Sequence, residues 1–466
     1  MKKKQLIALG VTLFVLAACS NPFFPEKRDI GGNTEETDDN DNTDGSDTDP
    51  VSITSVAVTV TTPAAGWLAS TTASGTGSFT AGPVLWTPDD HTFLVGKAYT
   101  AAVTLTANTN HVFAESQNLS ASINGQSATV INNNNSTLTL SYAFAIIADP
   151  NTGTDGATAD TAFKVYDVET LNRVGKGTGD WTGDWSLSAY YEQTADIILP
   201  PVGAGESNWT AIGNGSNRFF GTYDGGGCTI SNLTINVISG NQGMFSYIDT
   251  GGVVKNVGLV GGSVSVDNYV GGVVGLNSGT VQNCYTTGNV SSRQSHSTGG
   301  VAGLNYGTVQ NCYTTGNVSS GSGSTQYIGG VVGRNYGTVQ NCVALNPRVT
   351  YSYHTTDLGR VIGLPGTCAN NYARSDLIPK EYYNWDGNTT GTDKTVVSDL
   401  NGRDGQDITP AQYHSESWWS NAGNWKTDGG ASAWDFVNVW EWNPVTNLPI
   451  LRGFSSPQNH TVPPIP

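Results

Sequence analysis

The chain has 466 residues, a formal net charge of −17, only 13% charged residues and 58 glycines. With 21 Lys and Arg against 38 Asp and Glu, the acidic balance argues against nucleic-acid binding, a function that needs basic patches. Low charge with abundant Gly, Asn, Thr, Ser and Val fits a secreted all-β protein of two or three domains.

Lys2, Lys3 and Lys4 precede an apolar run, Leu6 to Val15, that is too short to span a bilayer, and Leu16-Ala17-Ala18-Cys19 follows. This is the layout of a secretory signal peptide. The tetrapeptide resembles the bacterial lipobox, so residues 1–19 are expected to be a lipoprotein signal with Cys19 as the lipidated residue. The implied partner is a membrane, since each buried methylene of the acyl chains adds about 0.8 kcal/mol. By the same resemblance Ser20 permits sorting to an outer membrane. Residues 20–50 form an acidic tether, with nine carboxylates and no Lys or Arg between Asp29 and Asp49. Such a segment repels itself and buries too little to fold.

Residues 51–148 contain short stretches that alternate apolar with small polar residues: Ser55 to Thr61, Tyr99 to Ala107 and Thr137 to Phe144. That alternation is the signature of half-buried strands, and Asn124-Gly125 is a hairpin turn signal. An Ig-like β-sandwich is expected, and the stretch resembles bacterial surface Ig-like modules.

Residues 160–375 are dominated by an internal repeat. Val270 to Val290 returns as Gly299 to Val318 and again as Ile328 to Asn346. Aligning Ile230-Ser-Asn-Leu233, Val254-Lys-Asn-Val257, three Val-Gln-Asn-Cys units and Cys368-Ala-Asn-Asn371 gives one column: Asn232, Asn256, Asn283, Asn311, Asn341 and Asn370. A near-constant period, with short β-forming runs and no helical pattern, predicts a parallel β-helix whose rungs stack. The Asn column is expected to form an amide ladder along one corner. Gly-Gly and Gly-x-x-Gly are expected at corners of positive φ, Thr314 and Ser319 outward or in a loop, and Cys284, Cys312 and Cys342, in the column of Leu233 and Val257, as free buried thiols. The repeats, with Gly272-Val-Val-Gly275, Gly300-Val-Ala-Gly303 and Gly330-Val-Val-Gly333, resemble the GLUG motif of bacterial surface proteins, including haemagglutinin-like adhesins and immunoglobulin-cleaving metallopeptidases. The resemblance implies a β-helix and leaves activity open.

The ends of the β-helix need cover. Asp167 to Gly175 reads as a short helix with Asp167 as N-cap and Gly175 past its end, and Thr409-Pro410 opens a second. Residues 376–454 form a Trp-rich cap and residues 455–466 a disordered tail. Seven of the twelve tryptophans lie between Trp385 and Trp442. Trp418, Trp419, Trp425 and Trp434 are therefore candidate sugar-binding platforms, or else rings buried to seal the helix.

Catalytic chemistry finds little support. None of the six histidines is followed by Glu, which removes a His-Glu-x-x-His zinc peptidase, and no P-loop or Gly-x-Ser-x-Gly elbow occurs. The ionisable residues of the repeats (Asp249, Lys255, Asp267, Arg293, Arg334 and His296) lie at unlike positions of their rungs. Asp180, Asp184, Glu192, Asp196 and Glu206 precede the repeats and are spread along a loop-like stretch. The sequence therefore reads as all-β, an Ig-like sandwich followed by a parallel β-helix with short capping helices. It implies no cofactor, no metal and no enzyme. The expected role is a lipid-anchored surface protein of the cell envelope with an adhesive or structural function, meeting a host or matrix protein or glycan. The alternatives are carbohydrate binding through the C-terminal aromatics and, less favoured, a polysaccharide-degrading β-helix.

Overall fold

In Ser55–Val60 every second residue is buried, so Val56, Val58 and Val60 face one core. The same pleat operates in Thr100–Ala107 and Thr137–Ala143. Two four-stranded sheets result: Ala73–Gly75, Ser55–Val60, Ser120–Ile123 and Gln126–Ser127 in one, and Phe79–Thr87, Thr100–Ala107, Thr137–Ala143 and Thr129–Asn133 in the other. Their inner faces share a core that includes Phe93, Val103, Leu105, Ile123, Leu138 and Leu140. Asn124 and Gly125 both have positive φ, 50° and 75°, and close the hairpin that pairs Ile123 with Gln126.

This computed structural model describes residues 49–176, 185–238, 240–294, 296–321, 326–352, 357–382, 391–425, 434–453, 458 and 460–465. Cys19, nearly all of the tether, Asp180, Asp184, His354 and Trp385 lie outside the described residues.

From Phe163 the chain winds into a parallel β-solenoid. A first face stacks eight strands from Phe163–Val165 to Thr367–Ala369, and a second stacks eight from Ile197–Ile198 to Gln406–Ile408. The third carries seven, from Thr234–Asn236 to Thr392–Asp393, the last pair antiparallel. A four-stranded ladder from Tyr269–Val270 to Leu358–Gly359 and a five-stranded one from Phe245–Ile248 to Ile362–Leu364 complete the later rungs. At ~4.8 Å per rung, the eight-stranded faces extend roughly 35 Å. Val254, Val281, Val309, Val339 and Cys368 lie in one register on the first face, so the repeat of the sequence is the rung of the solenoid. Their side chains and those of Ile230, Leu259, Val264 and Val290 fill the interior.

Two details of the repeat differ from expectation. Ile230 pairs with Leu259 on the second face, not with Val254 on the first. Asn232 therefore turns the following corner and does not belong to the column of Asn256. By the same register Leu233 leaves the cysteine column, and Cys228, just before Thr229, takes its level. The glycines of the GLUG cores also lack positive φ. They serve a close backbone approach: a Cβ on Gly275, Gly303 or Gly333 would come within 2.4–2.5 Å of a neighbouring backbone nitrogen.

The helix Val168–Arg173 forms with Asp167 as its N-cap in a capping box, Gly175 follows at φ 71°, and Leu171 and Val174 enter the solenoid core. Tyr166 and Ala195 of the first rungs instead join the sandwich core, and the Trp67 indole donates to the Thr194 carbonyl. Thr409 is the N-cap residue of the helix Pro410–Tyr413, where its N–H and hydroxyl both donate to Gln412 Oε1. Residues 399–405 fold over the last rung, where Val361 and Ile362 N–H groups bond the Arg403 carbonyl.

The Trp-rich segment does more than close that end. It runs back along the second face, over Tyr372, Val343, Tyr313 and Tyr285, and reaches Gly227, whose carbonyl accepts from Gln458. The final residues, expected to be a disordered tail, are part of this cover: Gln458 and His460 are buried, and the Pro463 carbonyl accepts from Arg374. The reason lies in the register. Tyr285, Tyr313, Val343 and Tyr372 occupy equivalent places on the second face, and rings left there in water would form an apolar stripe.

Candidate functional site

Most polar side chains of the repeats are used by the next rung. Asn256, Asn283, Asn311, Asn341 and Asn370 turn the corner between the first and second faces with φ between 49° and 56°. Asparagine tolerates this left-handed conformation better than other non-glycine residues. Amide bonds link part of the column: Asn311 Nδ2 to Asn283 Oδ1 (3.3 Å), Asn283 Nδ2 to Asn256 Oδ1 (3.2 Å) and Asn256 Nδ2 to Asp224 Oδ1 (2.9 Å). Asn370, at the far end, donates to the Asn424 carbonyl of the covering segment. Asn232, one corner on, has φ 65°.

A tighter ladder lies outside the sequence expectation. Asn277, Asn305 and Asn335 are buried at the corner leading into the first face, and their amides bond at 2.7 Å from rung to rung. Each Nδ2 also donates to the glycine carbonyl two residues on and to a threonine carbonyl of the next rung. The signal is present in the sequence as Asn-Ser-Gly and Asn-Tyr-Gly at one place in all three repeats. Gln282, Gln310 and Gln340 add a third ladder, with bonds of 2.9 Å. Thr314, expected outward, is buried, and its hydroxyl bonds Gly330 O and Asn346 Oδ1; Ser319 is half-buried.

Cys284, Cys312 and Cys342 are buried free thiols that donate to the carbonyls of Gln282, Gln310 and Gln340. Burial, and then the neighbouring Cys284 and Cys342 thiols, push the Cys312 thiol far above its usual range, so it carries no thiolate for attack or metal ligation. Burial likewise raises Cys368 to about 11.

Of the candidate sugar platforms, Trp419, Trp425 and Trp434 are buried and Trp418 is half-buried, packed edge-on against Tyr372, Trp419 and Trp425. Their indole N–H groups are spent inside: Trp419 donates to Tyr413 O, Trp425 to Trp419 O and Trp434 to Asn341 O. Trp419, Trp425 and Trp434 are core and offer a saccharide no open face to stack on. The segment's ends are pinned through tyrosine hydroxyls, Tyr285 to Gln458 Oε1 and Tyr313 to Pro449 O, with Tyr313 also against His460. Burial holds the His460 imidazole down to about pKa 4, neutral where an exposed histidine would begin to charge.

Among the described residues the carboxylates do not assemble into an acid–base pair. Glu192 pairs with Lys164, Asp224 with Lys255, Asp249 with Arg218 and Asp267 with Arg293. Asp196 accepts from Thr229, and Glu206 from Gly203 N. A cleft of about 480 Å³ opens where the sandwich meets the first rungs. Its acids are engaged as well: Asp167 caps a helix, Glu169 holds Arg173, and Asp149 accepts from Asn151 N. Among the described residues no three of His, Cys, Asp and Glu come together as a metal site, and no helix is long and apolar enough to cross a membrane.

The GLUG motif matches this chain at residues 267–291 and 324–350, which are rungs of the solenoid. Halomucin of Haloquadratum walsbyi is 31% identical over 148 residues, 30% of this chain and 2% of halomucin. A protein of Evansella cellulosilytica named "Putative Gly-rich membrane protein" is 36% identical over 104 residues, 22% of this chain and 11% of that one. The chain thus spans only a small part of either relative. A crystal structure from Bacteroides ovatus, described as a "putative immunoglobulin A1 protease", aligns with a TM-score of 0.45 at 19% identity, covering 64% of this chain and 95% of that one. At that score the likeness carries no argument.

Proposed function

We propose that this GLUG-motif chain is a lipid-anchored bacterial surface protein whose solenoid is a rigid projecting stalk with an adhesive or structural-display role. The observation that carries the reading is the use of the repeat columns. Asn277, Asn305, Asn335, Gln310 and Thr314 all spend their polar atoms on adjoining rungs, which stiffens a rod. Cys19, the acidic tether and relatives named for a mucin and for a membrane protein support a place at the cell surface.

Changing Cys19 to Ala tests the anchor: the variant is expected to leave the detergent phase of a phase-separation assay for the aqueous phase. Whole-cell protease treatment tests exposure. The wild-type chain is expected to be cut on intact cells, and full protection there would overturn the surface reading.

A further inference from the structure

Arg334 is a half-buried charge of the repeats with no counter-ion among the described residues. On the five-stranded ladder, Tyr247, Leu276, Leu304, Arg334 and Leu364 occupy one register, so the fourth strand carries a guanidinium where both its neighbours carry leucine. Leu276 and Leu304 are buried, and Arg334 is half-buried. Its Nε is enclosed without a hydrogen-bond partner, and no carboxylate among the described residues pairs with it. Placing such a group in an apolar column is unfavourable, and a departure of this kind in one copy of a repeat marks a position held for another reason.

The surroundings say what the reason is. The Arg334 guanidinium lies 4.5 Å from the ring centroids of both Tyr327 and Tyr336. Tyr336 stacks in turn on Tyr306, with centroids 5.3 Å apart and planes 20° from parallel. Tyr306 and Tyr336 are 53% and 48% exposed, so the stack stands open on an edge of the solenoid. The preceding rung has Ser278 at this place, and no other aromatic ring stacks on Tyr306 among the described residues. Two rings fix the plane of the guanidinium, and its remaining N–H groups form a preset fork for a planar anion. Arg218 on the same side of the rungs shows the contrast: it also lies over a tyrosine, Tyr247, but Asp249 answers its charge.

We propose that Tyr306, Arg334 and Tyr336 bind a carboxylate-bearing saccharide chain. The carboxylate takes the Arg334 fork, and the C–H face of the sugar ring packs on the open face of Tyr306, where the aromatic quadrupole is negative. A single cation on a chain of net charge −17 disfavours nucleic acid or an anionic bilayer, which need many. The proposal rests on the surface-interaction reading and gives it a ligand class.

The intact chain is run by affinity electrophoresis in gels holding polygalacturonate, its methyl ester, neutral dextran or polyglutamate. Retardation is expected in polygalacturonate alone, weakening with salt. Arg334→Leu and Tyr336→Ser each install the residue a neighbouring repeat already uses, so both should melt as wild type does while losing at least tenfold in affinity. Equal retardation by the methyl ester, undiminished binding by Arg334→Leu, or no binding to polygalacturonate would overturn the proposal. Equal retardation by polyglutamate would replace the saccharide with an acidic peptide and overturn it too. These results are separable from the surface reading, which stands or falls on protease accessibility of intact cells.

Discussion

Two tyrosine columns run along the same rungs and meet opposite fates. Tyr285 and Tyr313 stack with centroids 5.2 Å apart and are fully buried, while Tyr306 and Tyr336 stack at 5.3 Å and stand half in water. Register brings both pairs together, and in sequence both are a tyrosine shared by two of the three repeats. What separates them lies far along the chain: the C-terminal segment lays Trp419, Trp434 and Trp440 over Tyr313 and leaves Tyr306 bare. A solenoid's repeats thus specify which side chains form a stripe, and a non-repeating segment decides whether that stripe is core or surface.

The sharpest way to break the comparison is to remove one ring from each column. Tyr313→Ala should lower stability by about 3–5 kcal/mol, since it empties a packed site and strands the Pro449 carbonyl. Tyr306→Ala should cost no more than about 1 kcal/mol, the value of one stacked pair in water. Urea unfolding of the two variants makes the measurement, and similar losses would mean that the covering segment does not stabilise the second face.

A smaller effect should follow from acid. The folded chain holds His460 neutral with a pKa of about 4, whereas the unfolded value is near 6.5. The unfolded state therefore binds more protons between those values. Stability from this group is fully present above pH 6.5 and is lost as the pH falls toward 4, by roughly 3 kcal/mol at most. Hydrogen exchange should show the cover over Tyr285 and Tyr313 loosening in that window while the strands on the first face stay protected. A His460→Phe variant should flatten the dependence, and an unchanged profile would assign it to the carboxylates.

The smallest effect separates conformation from hydrogen bonding at the corner asparagines. Asn311 has φ 52° and an amide bond to Asn283. Asn311→Ala and Asn311→Gly both lose that bond, but only alanine meets the left-handed penalty of about 1–2 kcal/mol. Glycine should therefore be the better tolerated by that margin in the same urea titration. Equal losses would mean that the amide, and not the turn, is what the corner needs.

The corner column also shows where reading the sequence goes astray. Asn283, Asn311 and Asn341 are legible because near-identical repeats surround them. Ile230-Ser-Asn-Leu233 resembles Val254-Lys-Asn-Val257, yet it lies one face further on. These two corners ask for the same things: an inward apolar residue, a left-handed residue, then an inward one again. The local sequence is therefore degenerate among corners, and only the hydrogen-bonded register tells them apart. The candidate sugar-binding tryptophans fail for a related reason, since a cluster of indoles has the same composition whether it lines a platform or fills a core. Arg334 is visible as a charge in the repeats, but its ring partner Tyr327 lies earlier in the chain, on a different ladder.

The sequence by itself determined the class of this protein. Alternating strands in 51–148 demanded a packed sandwich, and a regular repeat with Asn and Gly punctuation demanded stacked β-rungs, because neither pattern buries its apolar face in any other way. It also set the chemistry of the ladders, since amides and thiols repeated at rung spacing meet their own copies. Tertiary structure alone decided which stripes see water, because that depends on a segment with no repeat to reveal its path. The described parts of the C-terminal segment, packed along the second face, turn Tyr285, Tyr313 and Trp419 into core, while Tyr306 and Tyr336 stay exposed beside Arg334 to meet a partner.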